Sequence, residues 1–74
     1  MLLSIGDIVY ADSPKMFGKC VAVVDGRYHI QAVHSLLNET GQIIPDKEDV
    51  LPIRFIISKK GEHMKKRFKK YIEN

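Results

Sequence analysis

Apolar, β-branched and aromatic residues recur in short runs through the first two thirds of the chain. Residues 5–11 form the first run, which the turn-forming residues 12–15 end. Residues 19–24 and 27–33 form the next two runs, separated by Asp25-Gly26 alone. This dipeptide suits a type I′ turn, because both central positions of that turn need positive φ. The pattern therefore predicts a strand, a turn and a tight β-hairpin.

The alternation within residues 27–33 also predicts which side chains share a face. Tyr28, Ile30 and Ala32 fall on one face of the strand, and the residues between them fall on the other. A short strand is expected at residues 42–44, a single helical turn at 47–50 and a last strand at 51–57, at an edge because of Pro52. Five short strands at this spacing predict a mainly β fold, with a small five-stranded barrel over residues 1–57.

The order of these segments resembles the Src-homology-3-like (SH3-like) barrels, including the KOW and Tudor-type modules. The resemblance depends on Gly6-Asp7-Ile8-Val9, on residues 18–24 and on residues 48–53. It covers roughly residues 4–55 and implies a barrel fold. It implies no particular function, because this fold serves many unrelated roles.

Residues 58–74 have a different period. Met64, Phe68, Tyr71 and Ile72 recur at i, i+4, i+7 and i+8, as on an amphipathic helix. A helix of about a dozen residues is marginal alone in water, so its apolar stripe is expected to dock on the barrel. The sequence therefore predicts one domain, made of a barrel and a C-terminal amphipathic basic α-helix.

Charge divides the chain at nearly the same place. Residues 1–53 carry four basic and seven acidic side chains (−3), whereas residues 54–74 carry eight basic and two acidic (+6), which gives the net +3. A dense cationic surface attracts polyanions or acidic proteins, although it can also simply keep a docked helix soluble. The candidate contacts to nucleic acid or to an acidic protein surface are Lys59, Lys60, Lys65, Lys66, Arg67, Lys69 and Lys70.

A second candidate site lies beside the first predicted turn. Lys15, Met16 and Phe17 follow turn formers, and exposed methionine and phenylalanine are common in protein contacts. We therefore expect a protein-interaction loop there. Tyr10, Phe17 and Tyr28 are alternatively the walls of an aromatic cage for a cation, or simply core residues.

Residues suited to catalysis or metal binding are few. The single cysteine, Cys20, excludes an intrachain disulfide, and it forms no zinc-ligand spacing with the three histidines. Asp46, Glu48 and Asp49 are expected to be solvated carboxylates. No serine or cysteine has the context of an activated nucleophile. We therefore expect no enzymatic activity, no cofactor and no metal.

The remaining features indicate the class of protein. No apolar run approaches the roughly 20 residues that span a bilayer, so we expect a cytoplasmic protein with no membrane partner. It is expected to be a monomer or a weak homodimer that pairs an edge strand. The first hypothesis is a non-catalytic binding module that associates with nucleic acid. The alternative is a protein-interaction module or a regulatory or inhibitory accessory protein, including a phage-encoded one, that docks on a larger protein.

Overall fold

Seven β-strands make up the regular structure of the chain, which a computed structural model describes at residues 1–12 and 14–73. They are β1 (Ile8–Asp12), β2 (Lys15–Val24), β3 (Arg27–Leu37), β4 (Ile43–Ile57), β5 (Glu62–His63), β6 (Lys66–Arg67) and β7 (Lys69–Lys70). Five of them form one antiparallel sheet in the order β4-β3-β2-β1-β7, and β5 pairs with β6 as a separate hairpin. The long strands β3 and β4 give the molecule extents of 39 × 25 × 23 Å.

The predicted hairpin at the centre of the sheet is confirmed. Val24 pairs with Arg27, so Asp25 and Gly26 form a two-residue turn between β2 and β3. Their φ angles are 51° and 72°, as a type I′ turn requires. The predicted facing of β3 is also confirmed, since Tyr28 and its partners at every second position are fully buried.

The core forms two clusters on opposite faces of this sheet, since adjacent residues of a strand point to opposite sides. The larger cluster consists of Leu3, Val9, Ala11, Cys20, Tyr28, Ile30, Ile57 and Phe68. The smaller consists of Ile8, Phe17 and Val33, with Tyr10 and Tyr71 packed against it. Gly18 lets the strands pack closely, because a Cβ atom there would collide with Cγ2 of Ile30.

The predicted barrel is wrong, because the sheet is open across the described part of the chain. Its edges, β4 and β7, do not pair with each other. The predicted strands at 42–44 and 51–57 belong to one strand, β4. The helical turn expected at 47–50 falls in a bulged part of that strand, between the pairs Val33–Val50 and Ser35–Pro45. At a second irregularity the side-chain amide of Gln31 donates hydrogen bonds to the carbonyl oxygens of Leu51 and Ile53. The extra residues of β4 are thus absorbed by bulges rather than by a new element.

The predicted C-terminal helix is also wrong, since residues 58–73 contain turns and short strands. Phe68 lies in the larger core cluster, whereas Tyr71 packs against the smaller one on the opposite face of the sheet. The apolar stripe of one helix cannot contact both faces of a sheet. An extended chain that runs alongside β1 can place its side chains on both faces. The Tyr71 amide accordingly donates to the carbonyl oxygen of Ile8 at 2.7 Å. Met64, expected on the same stripe, is 91% exposed.

Candidate binding surface

Parts of the two sites predicted from sequence meet at one groove. The β5–β6 hairpin and the first residues of β2 line the same groove, which brings Met16 together with Lys65 and Lys66. The groove has a volume of about 710 Å³ and an almost wholly apolar surface. We call it the methionine groove, and its lining residues are Met16, Ile53, Phe55, His63, Met64, Lys65, Lys66 and Phe68.

Aromatic packing fixes the floor of the methionine groove. The ring centroids of Phe55 and Phe68 are 5.2 Å apart, and those of Phe55 and His63 are 5.0 Å apart. His63 is held in turn, because its Nδ1 donates a hydrogen bond to the carbonyl oxygen of Ile56 at 2.9 Å. Phe68 is only 1% exposed, so the floor is continuous with the larger core cluster.

The β5–β6 hairpin is positioned by the turn that precedes it. Oγ of Ser58 accepts hydrogen bonds from the amides of Lys60 and Glu62 at 3.2 and 3.1 Å. Gly61 follows with φ 84°, and a Cβ atom there would collide with the carbonyl oxygen of Phe68. The amide of Phe68 donates back to the carbonyl oxygen of Gly61 at 2.8 Å. The hairpin therefore depends on a glycine at position 61.

The predicted interaction loop at Lys15, Met16 and Phe17 is the beginning of β2 rather than a loop. Phe17 is 2% exposed, so it is a core residue and offers no contact to a partner. Nζ of Lys15 pairs with Asp12 at 2.8 Å and lies 4.9 Å from the ring centroid of Tyr10. Met16, which is half-buried, is the one of the three that reaches the methionine groove. Ser13, part of the predicted turn, lies outside the described residues.

The cationic residues of the C-terminal segment are spread over a turn, a hairpin and an edge strand. Arg67 lies 3.9 Å from the carboxylate of Glu62, and Lys70 lies 3.5 Å from that of Asp7. Within residues 1–12 and 14–73, no ion pair involves the other predicted contacts, Lys59, Lys60, Lys65, Lys66 and Lys69. Lys65 and Lys66 are the two that the fold places at the methionine groove.

A second depression lies on the opposite face of the sheet. Tyr10, Lys15, Lys70, Tyr71 and Ile72 line a volume of about 350 Å³. Both of its lysines are paired with aspartates, so its positive charge is largely neutralised. Tyr28 takes no part in it, because its hydroxyl accepts a hydrogen bond from the Leu3 amide and donates to the Met1 carbonyl oxygen. Tyr10, Phe17 and Tyr28 therefore do not form a cage, and the alternative that they are core residues is confirmed for Phe17 and Tyr28.

Both edges of the sheet are guarded against pairing with another strand. Pro45 and Pro52 lie in β4 and cannot donate to a new ladder, and charged residues 46–49 lie between them. At the other edge, β7 is two residues long and both are lysines. This arrangement disfavours the addition of a further strand at either edge.

Two of the titratable groups outside the groove have pKa values shifted by burial or by neighbouring groups. Burial raises the pKa of the Cys20 thiol, which is fully inaccessible. The Ser4 amide, and after it Lys70, lower the pKa of Asp7. The described residues bring together no group of three or more side chains suited to a metal ion. They also form no helix long and apolar enough to cross a membrane.

Sequence reasoning missed the apolar half of the methionine groove. Ile53 and Phe55 fall in a run that predicts an ordinary strand, and His63 and Met64 fall inside the predicted helix. Gly61 was the one signal against that helix, because glycine near its first turn is unfavourable and favours a bend. The partner of Gly61 is Phe68, seven residues later, and no local pattern shows that contact.

Comparisons with known proteins add no relative to this description. No protein-family model matches the chain, and neither curated proteins nor solved structures gave a significant match.

Proposed function

We propose that the protein is a non-catalytic interaction module whose methionine groove binds an acidic segment of a larger protein. The observation that carries the proposal is an open, almost wholly apolar groove with Lys65 and Lys66 at its rim. Such a groove suits a ligand that has apolar side chains and negative charge together. A protein segment in which leucine or phenylalanine lies near aspartate or glutamate has this chemistry.

The lining favours protein side chains over nucleotide bases. Met16 and Met64 have flexible, polarisable side chains that adapt to differently shaped apolar partners. The aromatic rings of the floor pack on one another, and Phe68 is too buried to stack on a base. Burial of one leucine of the partner contributes about 1.5–3 kcal/mol. The lysines at the rim add less to affinity but accelerate encounter with an acidic partner.

The guarded edges support the same mode of binding. A peptide that adds a strand needs a free edge with unpaired amides, and prolines occupy two positions of β4. The end of β4 is covered as well, because the Ser58 amide donates to Glu62 and His63 bonds to Ile56. We therefore propose that the partner inserts side chains into the methionine groove and does not extend the sheet.

The proposal is tested by fluorescence anisotropy with a labelled 12-residue probe peptide that combines leucine and phenylalanine with glutamate and aspartate. A matched peptide carries lysine at every acidic position. Met16→Ala is expected to weaken binding of the acidic peptide by about 5- to 30-fold, which corresponds to 1–2 kcal/mol. Ile43→Ala, an exposed apolar residue outside the groove, is the control and should leave binding unchanged. Equal affinity of the wild-type protein for both peptides, or no binding of either, would overturn the proposal.

Nucleic-acid association is the second candidate function. It is favoured by five lysines of the segment 59–69 for which the described residues provide no acidic partner. If about four phosphates of a DNA duplex are contacted, log K should fall against log salt concentration with a slope of about −3.6. A labelled duplex and a single-stranded oligonucleotide are the probes, and Lys59→Gln with Lys60→Gln should reduce the slope. Absence of binding at about 50 mM salt, where phosphate contacts are strong, would exclude this candidate.

A further inference from the structure

Met64 adopts a backbone conformation that its side chain disfavours. Among the described residues, positive φ is found at Gly6, Gly26, Gly41, Gly61, Asp25 and Met64. Glycine adopts positive φ without steric cost, and aspartate tolerates it. Methionine gains nothing there, because its Cβ crowds the neighbouring carbonyl oxygen. Of these six residues, Met64, with φ 53°, is therefore the one whose side chain does not suit its backbone conformation.

Burial does not explain Met64 either. Its side chain is 91% exposed, so it adds almost nothing to the core. The residue lies in the two-residue turn between His63 and Lys66, a position that glycine or asparagine would fill with less strain. A large apolar side chain thus stands in solvent at the tip of a hairpin, at the expense of folding stability.

The tip of the hairpin lies at the methionine groove. Met64 forms part of the wall of the methionine groove, with Met16 and Phe55 also in its lining and Lys65 next in the chain. We propose that Met64 is the principal apolar contact of the groove and that its strained turn is retained to hold that side chain at the groove mouth. This inference rests on the proposed function, since it requires a partner with apolar and acidic side chains. Strain of this kind is frequently concentrated at binding sites.

The test compares stability and binding in Met64→Gly and Met64→Asn. Both variants relieve the strain, so their Tm should rise, by roughly 2–8 °C for a domain of this size. Both should also bind the acidic probe peptide about tenfold more weakly than wild type. Met64→Leu should retain most of the affinity with no gain in Tm. Ile72→Asn removes another largely exposed apolar side chain, outside the groove, and should change neither quantity.

The outcomes separate this inference from the function on which it rests. If the wild-type protein binds the acidic peptide and Met64→Asn binds it equally well, the inference fails and the proposed function stands. If Met64→Gly and Met64→Asn are both less stable than wild type, the turn requires methionine for folding and the inference fails. If the wild-type protein binds neither peptide, the proposed function and the inference fail together. Higher Tm combined with weaker binding supports both.

Discussion

The centre of the sheet and the C-terminal segment differ in how they are held. Strands β2 and β3 pair from Phe17 and Val33 to Val24 and Arg27, and β1 and β4 flank them in the sheet. Residues 58–73 form strands of two residues, and Gly61 and Phe68 are the buried residues of that segment. The first region is held by a long ladder of strand pairing, whereas the second is attached at a few points.

This difference predicts unequal local stability in the two regions. Long ladders at the centre of a sheet open only with the whole fold, whereas segments held by few buried contacts open at lower free energy. The C-terminal segment therefore has room for exposed and strained residues, such as Met64, that a central strand cannot hold. We expect hydrogen exchange to be slowest in β2 and β3 and faster in β5 and β6.

The largest expected effect comes from removal of the main attachment of the C-terminal segment. Phe68→Ala deletes a ring that is 1% exposed and packs on Phe55, and such a change costs about 3–5 kcal/mol. Amides of β5, β6 and β7 should lose protection before those of β2 and β3. Chemical denaturation and hydrogen exchange measure the two effects.

Phe68→Leu is a less destabilising variant for the same experiment if the alanine variant does not fold. It is expected to cost less and to preserve the order of protection. A uniform loss of protection over all strands in this variant would show that the C-terminal segment and the central sheet open as one unit. That result would contradict the distinction between the two regions.

Substitution of one glycine in each region allows the same comparison with a smaller loss of stability. Gly18→Ala forces Cγ2 of Ile30 out of its place between the central strands, and overpacking of this kind costs about 1–3 kcal/mol. Gly61→Ala meets the carbonyl oxygen of Phe68 and takes positive φ, which alone costs about 1–2 kcal/mol. The two variants should therefore lose similar amounts of folding free energy, but in different regions of the molecule.

Alkylation of Cys20 distinguishes the two glycine variants. The thiol is inaccessible and burial raises its pKa, so iodoacetamide reacts only after the sheet opens. Gly18→Ala should accelerate this reaction strongly, whereas Gly61→Ala should accelerate it much less and reduce binding of the acidic peptide. Equal acceleration in both variants would argue against separate opening of the C-terminal segment.

Local signals explain which parts of the fold could be predicted. Asp25-Gly26 and the alternation beside it act over two to ten residues, and the β2–β3 hairpin was therefore predictable. The period of Met64, Phe68 and Tyr71 is also local, but it was misleading. Burial of Phe68 and Tyr71 on opposite faces of the sheet depends on strand β1, some sixty residues earlier in the chain. Tertiary packing decided this segment against its local periodicity.

The methionine groove could also be predicted only in part from local sequence signals. Lys65 and Lys66 could be named as contacts from their charge, and Met16 from its position beside a turn. Their meeting in one groove could not be predicted, because it depends on where the β5–β6 hairpin lies relative to the beginning of β2. Phe17, adjacent to Met16, was expected to be exposed and is in the core instead, since successive residues of a strand face opposite sides.

The smallest expected effect concerns an ion pair that links the C-terminal segment to the residue just before β1. Asp7 accepts a hydrogen bond from the Ser4 amide at 2.8 Å and lies 3.5 Å from Nζ of Lys70 in β7. Both contacts favour the carboxylate, so the pKa of Asp7 is lower in the folded state than in the unfolded chain. The stability that Asp7 contributes is therefore complete above the unfolded pKa of about 3.9 and disappears as pH falls through the lower, folded pKa.

Asp7→Asn should accordingly cost about 0.5–1 kcal/mol at pH 7, the range of a partly exposed pair, and nothing well below pH 3. Urea denaturation of both proteins at pH 7, 5 and 2.5 measures the difference. Lys70→Gln should lose a smaller part, since the Ser4 hydrogen bond is the larger cause of the lowered pKa. A difference between wild type and Asp7→Asn that stays constant with pH would show that the carboxylate charge contributes nothing to holding β7 on the sheet.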